Sequence, residues 1–250
     1  MDKPTTVTAA VLVIGDEILS GRTKDRNLGY IAEYLTKIGV DVKEARVVGD
    51  VEDEIVAALN ALRPRYDYVI TTGGIGPTHD DITADAIARA FGVPIGEDPR
   101  VIGAMLQRYA PGDLTAARRR MARIPATAEL IENPISMAPG FRIGNVYVMA
   151  GVPAVMQAML DSAVKSMNTG ATMQVETIEA GGIPEGRYGD ALGAIAAAHR
   201  DVSIGSYPSY KDGRFNNQIV VRGKDEGAVA AAKAAVEAMI AGFSRDAAAR

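Results

Sequence analysis

Two neighbouring carboxylates, Asp80 and Asp81, follow a glycine-rich turn, Gly73-Gly74-Ile75-Gly76-Pro77, which itself closes an apolar β-branched run. Strand, glycine turn and helix start together form a phosphate-binding arrangement: glycines let backbone N–H groups approach an anion, and the helix N-terminus adds unpaired donors. Gly73, Gly74 and Gly76, with Thr72 and Thr78 beside them, are the candidate phosphate contacts. The aspartates would repel that anion unless a cation sat between them. The stretch therefore predicts a metal-bridged phosphate site.

Two more acidic turns follow apolar runs in the same way. Gly15-Asp16-Glu17 comes after Val7 to Ile14, and Asp50 comes after Val40 to Val48. Magnesium takes one or two carboxylates with waters and phosphate oxygens, a set that Asp81 with Asp50 or Asp16 would supply. Asp81, Asp16 and Glu17 are the candidate metal ligands, and Mg²⁺, Co²⁺ or Mn²⁺ the expected cofactor. Their work would be electrostatic, offsetting charge on a phosphoryl group and activating water. Asp81, Asp50 and Asp80 are accordingly the candidate catalytic residues.

Other positions carry two readings each. Gly15, Asp25 and Asn27 belong to the first turn as ligand contacts, although Asp25 and Asn27 equally suit a helix cap. Gly151-Val152-Pro153 repeats the strand-then-glycine pattern, with proline suited to a first helical turn, and adds Gly151 and Pro153 to the ligand-binding set. His79 is either a proton shuttle or a surface loop residue. Arg118, Arg119, Arg120 and Arg123 form a solvated helix face or reach a substrate phosphate, and Arg22 and Lys24 pose the same choice. Ser206-Tyr207-Pro208-Ser209-Tyr210 offers rings for stacking on a flat ligand, or for packing between strands.

The elements that must position these residues alternate. A helix carrying Leu28, Ile31, Leu35 and Ile38 closes at Gly39, and one marked by Ile55, Leu59 and Leu62 stops at Pro64. Tyr68 to Thr72 is a third strand, followed by a helix opening near Thr83 and ending at Gly92. This order predicts a doubly wound, mostly parallel α/β sheet with chemistry at the strand C-termini. Residues 98–123 read as helical. Leu130-Ile131, residues 140–143 and Val146 to Met149 read as strands, with a helix through Met156, Met159 and Leu160 after them. Asn168-Thr169-Gly170 marks a boundary between a domain over 1–168 and a β-α-β-β-α module over 171–245. The module's strands are expected over Met173 to Ile178, Val202 to Tyr207 and Gln218 to Val221, and its first helix over Tyr188 to Ala198.

Composition narrows the classes. The 250 residues carry a net charge of −4, which gives no global attraction to nucleic acid or anionic membrane. Cysteine is absent, which excludes disulfides, thiolate catalysis and cysteine-based metal sites. The segment from Met1 to Thr6 lacks signal-peptide features and the longest apolar runs are too short to span a bilayer. A cytoplasmic protein acting on a small molecule is expected, and its alanine- and methionine-rich helices suit a homo-oligomer.

These motifs resemble the molybdopterin-binding domain family that includes MoaB and MogA, and within it most the N-terminal region of the competence- and damage-inducible CinA proteins. The matching segments are Gly15 through Asn27, Val48-Gly49-Asp50, Thr71 through Thr83, Ala138-Pro139-Gly140-Phe141 and Gly151-Val152-Pro153. A small second module resembles residues 171–245, with Ile204-Gly205-Ser206-Tyr207-Pro208 as its marker. The resemblance implies a three-layer α/β domain binding a pterin or nucleotide phosphate near the glycine loop. By position, Asp50 and Asp81 match the two functional aspartates of the MogA pattern, and Asp16, Gly21 and Asp25 its first loop.

CinA-like domains imply metal-dependent cleavage of ADP-ribose or FAD, whereas MogA-like proteins transfer AMP to molybdopterin. A non-catalytic molybdopterin or nucleotide binder is the remaining alternative. The MogA-type loop has threonine where this chain has Ile75, and arginine where it has Asp80. That exchange of a cation for an anion disfavours adenylyl transfer. The amidohydrolase domain of longer CinA proteins is not expected in this sequence.

Overall fold

The computed structural model describes residues 6–211 and 214–248. They form two compact units, Thr6–Gly170 and a second that begins at Ala171. Residues 1–5, most of the stretch read for a signal peptide, lie outside the described residues.

The first unit runs β1 (Val7–Ile14), α1 (Asp16–Leu19), α2 (Asn27–Lys37), β2 (Val40–Val48), α3 (Glu52–Leu62), β3 (Tyr68–Thr72) and α4 (Thr83–Phe91). It continues through β4 (Ile95–Glu97), α5 (Pro99–Leu106), α6 (Ala116–Arg120), β5 (Arg123–Pro125), β6 (Glu129–Ile131), β7 (Gly140–Ile143), β8 (Val146–Met149) and α7 (Pro153–Ala163). Six strands make one sheet in the order β2-β1-β3-β8-β7-β6. The first four are mutually parallel, and β7 and β6 are added antiparallel.

Alternation along β1 shows why the sheet is covered twice. Ala10, Leu12 and Ile14 point into a core with Ile55 and Leu59 of α3 and Ile87 of α4. Ala9, Val11 and Val13 point the other way, against Ile31 and Leu35 of α2 and Met156, Met159 and Leu160 of α7. Side chains on a strand alternate sides, so a strand apolar at both parities must be buried on both faces. The doubly wound, mostly parallel sheet expected from the sequence is the one observed.

Residues 98–123 differ from the continuous helical reading. Asp98 starts α5 by accepting from the Arg100 amide at 2.8 Å, with Pro99 in the first turn. Pro111 ends any continuation, and a 3₁₀ turn over Pro111–Asp113 leads to the short α6. Arg123 then lies in β5, which pairs antiparallel with β4 through Ile95 and Pro125. This excursion is a two-stranded ribbon with two short helices.

In the second unit, β9 (Gln174–Gly181), α8 (Glu185–Ala198), β10 (Ser203–Lys211), β11 (Arg214–Gly223) and α9 (Glu226–Ala248) follow in turn. The strands form an antiparallel sheet ordered β10-β11-β9. Its core joins Ile178, Ile219 and Val221 to Tyr188 of α8 and Val229, Ala232 and Val236 of α9. All three strands run further than their apolar residues indicated, because the ladder pairs polar positions such as Ser209 with Asn216 equally well. Among the described residues, no helix is long and apolar enough to cross a membrane.

Candidate functional site

The glycine turn leaves the end of β3 between β1, β8 and α4. Gly73 has φ +104°, and a Cβ there would stand 2.1 Å from the Ile14 carbonyl oxygen. Gly74 has φ +66°, and its Cβ would meet Thr83 Oγ1 at 2.2 Å. Both positions therefore admit only glycine. The Gly73 amide donates to the Met149 carbonyl at 3.1 Å. The Thr83 hydroxyl donates to the Gly73 carbonyl at 2.9 Å, and the Thr83 amide to the Gly74 carbonyl at 2.9 Å.

With its start pinned in this way, the turn presents the amides of Gly74, Ile75 and Gly76, which have no acceptor among the described residues. They lie beside the start of α4, whose N-cap residue Ile82 supplies no side-chain acceptor. Consecutive free amides beside a helix N-terminus make an anion-binding concavity. Beneath the turn, the buried Thr71 and Thr72 hydroxyls have no partner among the described residues.

Asp16 and Asp50 face each other across the ends of β1 and β2. The Asp16 amide donates to Asp50 Oδ2 at 2.9 Å, and the Asp50 amide donates to Asp16 Oδ1 at 3.2 Å. Gly49 allows this approach, since a Cβ there would stand 2.4 Å from Asp16 Oδ1. Partial burial, with the charges of Asp16, Glu17 and Asp80, raises the Asp50 carboxyl above its ordinary range despite the Asp16 amide. Among the described residues, no Lys or Arg forms an ion pair with Asp16, Glu17 or Asp50. Such a pair, each member retaining a second oxygen, fits the carboxylate share of a Mg²⁺-type site completed by water and phosphate.

Asp81 does not join them. Its Oδ2 accepts from the Thr78 amide at 2.8 Å and the Thr78 hydroxyl at 2.5 Å, closing a turn inside the loop. Among the described residues, no group of three or more His, Cys, Asp or Glu side chains is placed to hold a metal ion. Asp81, expected beside Asp50 or Asp16, is instead bonded to Thr78, while Asp16 and Asp50 bond to each other's amides. The physical reason is the short span from Thr78 to Asp81, which turns that carboxylate back on its own backbone. Asp80 stays exposed at the rim, held below the usual carboxylate range by Thr78 and its own amide. Glu17 folds back towards Gly15, where an added Cβ would stand 2.5 Å from its carboxylate.

Asp25 takes the capping role, accepting from the Leu28 amide at 2.9 Å and the Asn27 amide at 3.3 Å. Asn27 is buried, and its Nδ2 donates to the Gly151 carbonyl at 2.8 Å, tying α2 to the turn after β8. Its Oδ1 has no partner among the described residues. Gly151 lies so close to Gly73 that a Cβ would stand 3.2 Å from the Gly73 Cα, and Pro153 opens α7. These residues hold the turns together around the loop. His79, Arg22 and Lys24 are exposed. In the second unit Tyr188 and Ser206 share a hydrogen bond at 2.9 Å, and Arg222 donates to Tyr207. The Tyr210 side chain lies outside the described residues.

The basic cluster divides residue by residue. Arg119 pairs with Glu97, and Arg123 grips Asp85 of α4 at 2.6 and 2.8 Å. Arg118 lies over the Tyr109 ring. Arg120 alone among the four reaches the glycine loop, donating through Nε to the Thr78 carbonyl at 3.1 Å and through Nη2 to the Asp81 carbonyl at 3.2 Å. It lines a cleft with Ile75, Gly76, Asp81, Ala84 and Phe141. Sequence reading treats the four arginines as one group. Nothing in their spacing distinguishes Arg120, because the reach depends on the path of the chain between α4 and β5.

With this geometry in place, comparison identifies the family. The probable molybdopterin binding domain matches residues 10–169, and the FAD synthase middle domain matches residues 178–246. The chain belongs to the molybdopterin-binding domain family. It is 42% identical over 197 residues to a CinA-like protein of Citrifermentans bemidjiense, covering 74% of this chain and 47% of that one. It is 30% identical over 267 residues to a probable FAD synthase of Caenorhabditis elegans, covering 96% of this chain and 51% of that one. The chain thus spans about half the length of these two curated relatives. The solved structure of the Thermoplasma acidophilum protein CinA, a protein of unknown function, superposes with a TM-score of 0.60 at 36% identity. That match covers 64% of this chain and 96% of the other.

Proposed function

We propose that the first unit binds a nucleotide pyrophosphate and hydrolyses it with a divalent cation. The observation that carries this reading is the row of amides at Gly74, Ile75 and Gly76, which lack an acceptor among the described residues and stand at the start of α4, with Asp16 and Asp50 on the same edge and paired there with no Lys or Arg. The amides would receive phosphate oxygens. A cation held by Asp16 and Asp50 would supply charge neutralisation and a more acidic water. Asp50 would take the proton as water oxygen attacks phosphorus and the bridging P–O bond breaks. ADP-ribose would then yield AMP and ribose 5-phosphate, and FAD would yield AMP and FMN. The match of residues 178–246 to a FAD synthase middle domain supports testing FAD beside ADP-ribose.

The test is AMP release from ADP-ribose and FAD with Mg²⁺, Co²⁺ or Mn²⁺, followed by chromatography. Turnover should fall on the order of 100-fold in Asp50→Asn, the scale of losing one electrostatic group at the reacting centre. If no metal supports turnover of either substrate, the hydrolase reading fails. One observation favours a second reading, a non-catalytic nucleotide or pterin-phosphate binder: Asp81 is engaged by Thr78 and no three-carboxylate group forms among the described residues. Calorimetry showing tight binding without turnover, unchanged in Asp50→Asn, would select the binder.

A further inference from the structure

Between Gly76 and Asp81 the glycine loop has little to hold it. Among the described residues, its one backbone bond there joins the Asp81 amide to the Thr78 carbonyl at 3.3 Å, and the Thr78–Asp81 side-chain turn supplies the rest. Glycine-rich backbone left this free would be ordered only when ligand binds, and the ordering would oppose binding. Arg120 crosses that turn from another element and donates to the Thr78 and Asp81 carbonyls together. A carbonyl oxygen has two lone pairs, so Thr78 accepts from both Asp81 and Arg120.

The arginine is itself held in place. Arg119 pairs with Glu97, the Asp98 amide donates to the Ala122 carbonyl at 2.8 Å, and Arg123 grips Asp85 in a two-toothed bond. These contacts fasten α6 and β5 to β4 and α4. Arg119 and Arg123 are ion-paired, whereas Arg120 bonds to neutral carbonyls and, among the described residues, pairs with no carboxylate within salt-bridge distance. Its Nη1 has no acceptor among the described residues, and its charge borders the cleft beside Gly76.

We infer that Arg120 is a positioning residue, a guanidinium clamp from α6 that fixes the 73–83 loop in its phosphate-receiving shape and provides the cationic wall that the loop's own sequence lacks. The inference rests on the phosphate-site reading above for its ligand, but not for its effect on the loop. A lysine keeps the charge yet presents an ammonium in place of the planar fork that spans two carbonyls.

Arg120→Lys and Arg120→Gln are compared with the wild-type full chain by amide hydrogen exchange and by calorimetry with ADP-ribose. Exchange at the Thr78 and Asp81 amides, the hydrogen-bonded ones of this turn, should quicken about tenfold or more in both variants, the scale of losing one charge-assisted hydrogen bond. Amides of β1 and β3 should be unchanged, which also reports that the variants are folded. ADP-ribose affinity should fall about tenfold in both, with lysine failing to restore it. Unaltered loop exchange in the two variants overturns the clamp, as does quickened exchange with full affinity. If wild type binds no ADP-ribose while the variants still loosen the loop, the clamp stands and the phosphate-site reading falls.

Discussion

Asp50 shows how a single residue can oppose stability at the site. Its carboxyl is raised by burial first, then by the charges of Asp16, Glu17 and Asp80. Below the unfolded-state pKa both states are protonated and the group contributes nothing to the pH dependence. As pH rises through that value to the higher folded one, the folded state is increasingly penalised, and the penalty persists above it. Asp50→Asn, whose amide oxygen can still accept from Asp16, should therefore raise Tm at neutral pH. The gain should vanish as pH falls below about 4, near the ordinary aspartate value. Melting curves across pH check this, and a neutral-pH Tm no higher than wild type would count against it. The same residue is expected to lose activity on that change, as functional carboxylates trade stability for chemistry.

The elements meet where their turns carry no side chains. Gly73 approaches β1, Gly151 approaches Gly73, and Gly49 approaches Asp16, so strand ends from four parts of the sequence share one edge. A methyl group at Gly73 would collide with the fixed Ile14 carbonyl, whereas one at Gly92, also at positive φ, would meet nothing within 4 Å. Gly73→Ala should thus cost about 3 kcal/mol or more, and Gly92→Ala about 1 kcal/mol, from backbone strain alone. Urea denaturation of both variants measures the contrast. Equal costs would mean that the turn can shift away from β1, and that the loop is not held by close backbone contact. The excursion between α4 and β6 belongs to this scale as well. Its helices are too short to be stable alone, and they are fixed by the β4–β5 ribbon and by arginine pairs to neighbouring elements.

At the scale of the whole molecule the two units have separate cores. One is the double-faced sheet of Thr6–Gly170, and the other packs β9 and β11 against α8 and α9. Each hydrophobic cluster lies within its unit. A chain ending at Gly170 should therefore unfold cooperatively, with a Tm within about 5 °C of the corresponding transition in the longer chain, about 1–2 kcal/mol at this size. Calorimetry of both chains tests this. A shortened chain lacking a cooperative transition would show that the first core depends on the second. ADP-ribose calorimetry on the shortened chain would then locate binding in the first unit.

What the sequence determined by itself was local. Apolar residues at both parities of Val7 to Ile14 require two covered faces, and the 3.6-residue spacing of Ile31, Leu35 and Ile38 requires a helix lying on one of them. Gly39 and Gly92 end helices where φ turns positive, as their positions after the apolar spacing indicated. The glycine turn and the acidic ends of β1 and β2 were legible for the same reason, since strand ends of a parallel sheet gather on one edge. Only the tertiary structure decided how those carboxylates divide: Asp16 with Asp50, Asp81 turned onto Thr78, and Asp25 onto the start of α2. It likewise singled out Arg120 from three neighbouring arginines of the same chemistry. Residue type and spacing fix what a side chain is able to bond, but its partner is set by distances between segments far apart in the chain, which local sequence does not encode.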